Sequence, residues 1–215
     1  MRIRALFLLI LVCIFASCAT RLPVEKGDFN ETNLVELVKV DSTLRLDIRY
    51  ATANNFAKQA VYKEARAFLQ KDAAESLKKA NALLKPLGYG LLVFDAYRPW
   101  DVTKLFYDIT SKENKKFVAH PKEGSRHNRG CAVDVTLYDL KTGKEVAMPG
   151  EYDEMTERSY IDYAGGTEEQ RKLRDLLIAT MQSVDFTVYK YEWWHFDHKD
   201  WKKYRITNKP FSEIK

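Results

Sequence analysis

The chain has 215 residues, 46% of them hydrophobic and 30% charged, with a formal net charge of +5. That is enough chain for one domain with a real hydrophobic core, and the composition excludes a disordered, repetitive or low-complexity protein. Acidic and basic residues are interspersed, with no basic stripe carrying aromatics, so the pattern gives no support for nucleic-acid binding.

Residues 1–17 read as an export signal. Arg2 and Arg4 form a basic start, Ala5 to Phe15 is an apolar run too short to span a membrane as a mature helix, and Ala16-Ser17 precede Cys18. A cysteine directly after small residues predicts a lipoprotein site, with Cys18 as the lipidated N-terminus. Phe15 departs from the usual aliphatic residue there, and plain secretion or a retained anchor are the other options. The expected place is outside the cytoplasm, on the periplasmic side, with the membrane touched only through the lipid. Residues 18–35 read as a tether and 36–215 as the folded domain. Only Cys131 of the three cysteines remains in that domain, so no intramolecular disulfide is expected.

Leu37 to Ile48 reads as a strand, with Leu44, Leu46 and Ile48 alternating. A helix is expected from Lys63 to Lys85, where Ala73, Leu77, Ala80, Leu84 and Leu87 step by four and three, and Pro86 and Gly88 end it. Gly90 to Phe94 is a short apolar run, hence a buried strand that delivers Asp95 and Arg98 to its end. Pro99 sets a turn before a helix from Trp100 to Ile109. Arg98 reads either as a structural partner of Asp95 or a carbonyl, or as a fixed cation that holds a developing oxyanion. Ser111 to Gly124 is a polar, lysine-rich loop, and nothing positions its His120 as a ligand.

The next stretch, Ser125-Arg-His127-Asn-Arg-Gly130-Cys131-Ala132-Val133-Asp134, begins as a turn and ends as a strand. Cys131, Val133, Val135 and Leu137 alternate with Ala132, Asp134 and Thr136, so Asp134 points away from the valine face, between small neighbours. Cys131 shares the valine face and reads as a small buried apolar residue, with a fourth metal ligand as the sharper alternative.

Asp139 to Lys144 reads as a hairpin turn with Gly143 at positive φ. Met148 to Gly166 is a long loop, and such loops in compact domains are often functional. Its Asp153 is either a turn or cap carboxylate or a partner for a substrate ammonium. Thr167 and Gln170 form a capping box for a helix marked by Leu173, Leu176, Leu177, Met181 and Val184. Phe186 to Tyr191 returns as a strand into Glu192-Trp193-Trp194-His195-Phe196-Asp197. On an ideal strand Glu192 and His195 face opposite sides, so a bulge between them is required if both serve one site. His198 reads as a surface histidine, and Trp201 to Lys215 as a tail packed by its aromatics.

His127, Asp134 and His195 read either as ordinary surface or hydrogen-bonded side chains or together as a three-ligand zinc site with the fourth position left for water, in which case Glu192 is the base for that water. Five segments in order, from about residue 40 to the C-terminus, resemble the D-alanyl-D-alanine dipeptidases of the VanX type. These are zinc peptidases related in fold to the Hedgehog signalling domain and the D,D-carboxypeptidases. The family pattern Ser-x-His-x-x-Gly-x-Ala-x-Asp is met at Ser125, His127, Gly130, Ala132 and Asp134, and its Glu-x-x-His at Glu192 and His195. Phe94-Asp-Ala-Tyr-Arg98-Pro-Trp100 and Asp47-Ile-Arg-Tyr-Ala-Thr-Ala-Asn-Asn-Phe56 resemble two further segments. Met148 to Ser159 resembles another, with Tyr152 where Phe is common. The resemblance implies an α+β fold with a largely antiparallel sheet flanked by helices. It implies one Zn2+ on His127, Asp134 and His195, with Glu192 as base and Arg98 at the scissile carbonyl. It also implies Asp153 on the substrate's amino group and Ser125 on the substrate or a ligand loop. The expected reaction is hydrolysis of D-Ala-D-Ala to two D-alanines, serving wall turnover or nutrient recovery. A D,D- or L,D-carboxypeptidase acting on peptidoglycan stems, or a metal-stabilised binding module without catalysis, are the alternatives.

Overall fold

The structure is a computed structural model that describes residues 21–215. The export signal expected at 1–17 and the lipidation expected at Cys18 lie outside the described residues. Five strands form the main sheet in the order β2-β4-β5-β7-β6: β2 (Arg45–Leu46), β4 (Tyr89–Asp95), β5 (Ala132–Asp139), β7 (Glu192–His198) and β6 (Phe186–Tyr189). Only β2 and β4 run parallel; the other neighbours are antiparallel. A two-stranded antiparallel sheet pairs β1 (Leu34–Glu36) with β3 (Phe68–Gln70). The helices are α1 (Leu37–Val40), α2 (Lys71–Leu84), α3 (Trp100–Ile109) and α4 (Glu168–Gln182). The fold is α+β, as the sequence predicts.

Alternation along the strands separates the two faces of the main sheet. Leu91, Val93, Val133, Val135, Leu137 and Phe196 join Leu77 and Leu84 of α2 and Leu177 and Met181 of α4 in one buried core. Leu92, Phe94 and Tyr138, one residue out of phase, form a smaller cluster with Tyr152. Asp134 belongs to this second phase, so the strand period carries its carboxylate away from the helix-packed core.

Two bulges then set which side chains stand beside it. Val93 pairs with Val135, but the next pair is Asp95 with Asp134, so one extra residue in β4 moves Asp95 into line with Asp134. On the other side Asp134 pairs with His195. Val188 pairs with Phe196 while Tyr189 pairs with Glu192, so the irregularity in β7 lies between Glu192 and Phe196, where the sequence requires it. Asp95, Asp134 and His195 thus form a row across three adjacent strands.

Several elements differ from the sequence reading. Leu37–Val40 is a helical turn, and only Arg45–Leu46 of the expected strand enters the sheet. Asp41 Oδ1 accepts from Thr43 N and Oγ1 at 2.9 and 2.5 Å, a local turn that breaks the run. The helix expected from Lys63 starts at Lys71, because Phe68–Gln70 pair with β1 and Arg66 binds both oxygens of Glu36 at 2.8 and 2.9 Å. That guanidinium, outweighing burial, holds the Glu36 carboxyl down at about 2. Leu87 lies in a 3-10 turn after α2 and is exposed. The capping box at Thr167 and Gln170 and the helix Trp100–Ile109 stand where the sequence puts them.

His198 is not at the surface. It is 2% exposed, its Nε2 lies 3.4 Å from Ser76 Oγ, and its ring packs on Phe186. The alternation of β7 puts it on the core side with Phe196, opposite His195 and Asp197. Cys131 is fully buried, and burial pushes its thiol up to about 12, in keeping with an apolar role.

Candidate active site

His127 sits on a 3-10 turn, His127–Arg129, immediately before β5. The turn is tied from several sides. Ser125 Oγ accepts from His127 N at 3.2 Å, and Arg98 N donates to His127 O at 3.1 Å. Asn128 Nδ2 donates to Arg98 O at 2.9 Å and to Thr103 Oγ1 at 2.8 Å, which joins the turn to the segment carrying Arg98 and to α3. Gly130 leaves the turn at φ 67°, which strains any L side chain, and a Cβ there would lie 2.4 Å from Leu34 Cδ2 and push that side chain aside.

Three ligand-type atoms converge: His127 Nε2, His195 Nδ1 and Asp134 Oδ1. The nitrogens are 3.1 Å apart, His195 Nδ1 is 3.1 Å from the carboxylate oxygen, and His127 Nε2 is 3.3 Å from it. Ligand atoms on a tetrahedral zinc with bonds of about 2.1 Å lie ~3.4 Å apart, so this near-equilateral triangle fits one face of that geometry. The proton positions agree. His127 Nδ1 lies 2.6 Å from Ala96 O, and a carbonyl can only accept, so Nδ1 carries the hydrogen and Nε2 offers a lone pair. His195 Nε2 lies 2.9 Å from Asp197 Oδ1, which likewise turns the Nδ1 lone pair inward. Three electron-rich atoms facing one another call for a cation. Burial works against a charged His195, yet Asp197 and Asp134 outweigh it and hold the imidazole well above its ordinary value, so without a metal a proton on Nδ1 is the cation, one that a metal would displace. Asp134 shows the reverse balance: burial raises it, and the two imidazoles hold it well below the carboxylate range.

Four more groups border this triangle in a cleft of about 140 Å³, small beside the ~300–1,000 Å³ of sites for larger organic ligands. Glu192 Oε2 is 3.8 Å from His195 Nδ1, and burial pushes its carboxyl up to about 8. Arg98 binds Asp95 Oδ2 through Nε at 2.9 Å and Nη2 at 2.7 Å, and Nη2 stands 3.8 Å from Asp134 Oδ2. Nη1 has no hydrogen bond among the described residues, so Arg98 is both a structural partner of Asp95 and a cation at the cleft. Asp153 adopts φ 61° in the long loop. Its Oδ1 accepts from Tyr50 at 2.9 Å, its buried Oδ2 has no partner among the described residues, and burial pushes it up to about 7. Ser125 lines the cleft wall while its hydroxyl holds the ligand turn.

The sequence reading missed the groups that orient these. Asp197 stands two residues from His195 on one strand face, a spacing that could have found it. Tyr152 donates to Asp134 Oδ2 at 3.0 Å, and Tyr62 donates to Asp95 Oδ1 at 2.8 Å; no local pattern announces either. His120 and Cys131 are not among the residues that converge.

Residues 30–215 match the family model described as D-ala-D-ala dipeptidase. The chain is 33% identical over 181 residues to the D-alanyl-D-alanine dipeptidase of Escherichia coli (strain K12), covering 84% of this chain and 92% of that one. It is 36% identical over 178 residues to the D-alanyl-D-alanine dipeptidase of Enterococcus faecium, covering 73% and 87%. Among solved structures it is similar to the LD-carboxypeptidase LdcB, at 20% identity and a TM-score of 0.43 over 80% of this chain and 71% of that one.

Proposed function

The chain belongs to the D-ala-D-ala dipeptidase family, and from that membership we propose that it hydrolyses D-Ala-D-Ala to two D-alanines with one zinc ion on His127, Asp134 and His195. The observation that carries the reading is the triangle of three ligand atoms beside a partly buried carboxylate, Glu192, and a carboxylate oxygen of Asp153 that has no partner among the described residues. A zinc ion in that position supplies Lewis-acid activation of water and of a peptide carbonyl.

The chain's own residues supply the rest. Glu192 is the proton carrier: its raised pKa suits a group that takes a proton from the attacking water and delivers it to the leaving amine. Arg98 is fixed by Asp95 and needs no reorganisation to stabilise the tetrahedral oxyanion through its remaining donor. Asp153 Oδ2 pairs the free ammonium of the dipeptide. That pairing supplies the hydrogen bond the oxygen lacks and selects dipeptides over longer chains. Ser125 acts by holding the His127 turn.

The leader at 1–17 and lipidation at Cys18 would place this activity on the periplasmic side, where it serves wall turnover or nutrient recovery. The test of the reaction is a comparison of D-Ala-D-Ala with its N-acetyl derivative. Cleavage of the free dipeptide alone is the expected result; equal cleavage of both would indicate a carboxypeptidase acting on stem peptides.

A further inference from the structure

The cations of the cleft are not equivalent. Arg98 is bound to Asp95, and Lys116 donates to Tyr160 at 2.6 Å while standing over the rings of Phe117 and Tyr160. Arg126, the residue before the ligand His127, also lines the cleft and makes no side-chain hydrogen bond among the described residues. Its nearest acid is Asp197, with Nε 3.5 Å from Oδ2, an ion pair without a hydrogen bond that leaves both Nη groups of the fork unused. The guanidinium lies 4.6 Å from the centre of the Trp201 ring, which holds its plane. The side chain is 44% exposed, so its fork remains open to a ligand.

We infer that Arg126 binds the C-terminal carboxylate of the substrate, so that the cleft recognises both ends of a zwitterionic dipeptide: ammonium on Asp153, carboxylate on Arg126. The inference rests on the dipeptidase reading and deepens it. A planar, oriented fork of donors matches a carboxylate bidentately, whereas an amide or an extended chain at that place offers no charge. The carboxylates of Asp134, Asp197 and Glu192 line the same cleft and repel an anionic end. A dedicated cation is what permits one to enter, and Arg126 makes the enzyme demand a free C-terminus.

The experiment measures kcat and KM for D-Ala-D-Ala and for its C-terminal amide, in the wild type, Arg126→Gln and Arg126→Lys, with zinc content determined for each. The wild type is expected to prefer the acid, with the preference residing in KM. In Arg126→Gln the ratio of the two kcat/KM values should fall by roughly tenfold or more, the worth of a charge-assisted pair. Arg126→Lys should recover part of it, with zinc content the same in all three. An unchanged preference in Arg126→Gln would overturn the inference. So would loss of zinc with equal damage to both substrates, which would mean that Arg126 only supports Asp197 and His195. A wild type that cleaves the acid and the amide equally well would overturn the inference while leaving the dipeptidase reading standing. A wild type that cleaves neither would remove both.

Discussion

Replacing Asp197 by alanine is expected to weaken zinc binding without unfolding the chain. The two imidazoles of the site are held differently. His127 is oriented by a backbone carbonyl, Ala96 O at 2.6 Å, which no substitution removes. His195 is oriented by a side chain, Asp197 Oδ1 at 2.9 Å. Asp197→Ala deletes that acceptor, releases the ring and removes the negative charge that favours the bound cation. Loss of an orienting partner of this kind costs roughly 10- to 100-fold in metal affinity, or about 1.4–2.7 kcal/mol. The same range follows from losing one hydrogen bond to a charged group. Asp197→Asn keeps an oxygen acceptor and loses the charge, so its affinity should fall between the two. The assay is competition for zinc with a chromophoric chelator, alongside circular dichroism to show that the fold persists. Unchanged affinity in Asp197→Ala would refute the reasoning that His195 is a ligand oriented from behind.

Glu192→Gln should retain zinc and lose roughly 10²- to 10⁴-fold in kcat, the usual worth of a positioned proton carrier; near-normal turnover would remove Glu192 from that role. Asp153 carries a pH signature. Burial pushes its carboxyl up from 3.8 to about 7 in the folded chain. Between those values the folded state binds more protons than the unfolded one, so this group's contribution to stability falls as pH rises through that window. Asp153→Asn should therefore flatten that slope and raise the melting temperature at pH 8, while KM for the free dipeptide increases; a variant less stable at pH 8 would contradict the burial argument. Gly130→Ala forces a side chain into the left-handed region and against Leu34. It should cost at least ~1–2 kcal/mol in denaturant unfolding and disturb the His127 turn.

The metal triad was legible because a carboxylate in the small-residue phase of a strand is costly unless it has a partner, and the two histidines lay in recognisable surroundings. The strand period alone put Asp134 on the correct face, and the geometry of one metal demanded the bulge between Glu192 and His195. What stayed hidden depends on pairing across the chain. Nothing local at Phe94 signals the extra residue that brings Asp95 into line with Asp134. The tyrosines Tyr50, Tyr62 and Tyr152 reach their carboxylates over sequence gaps that no short pattern spans. Lys63 to Ala67 has good helix formers, yet the Glu36–Arg66 pair and strand pairing at Phe68 outweigh propensity there. His198 is buried although its three-residue spacing from His195 reads as solvent-facing, because the side of β7 opposite His195 is the core.

The most direct test of the account is D-alanine release from D-Ala-D-Ala by the purified protein, before and after zinc is stripped with a chelator and then restored. The account predicts release that stops on stripping and returns with one zinc per chain, and that neither His127→Ala nor His195→Ala can be rescued at the same zinc concentration. Release that persists undiminished in the stripped protein, or in those two variants, would contradict it.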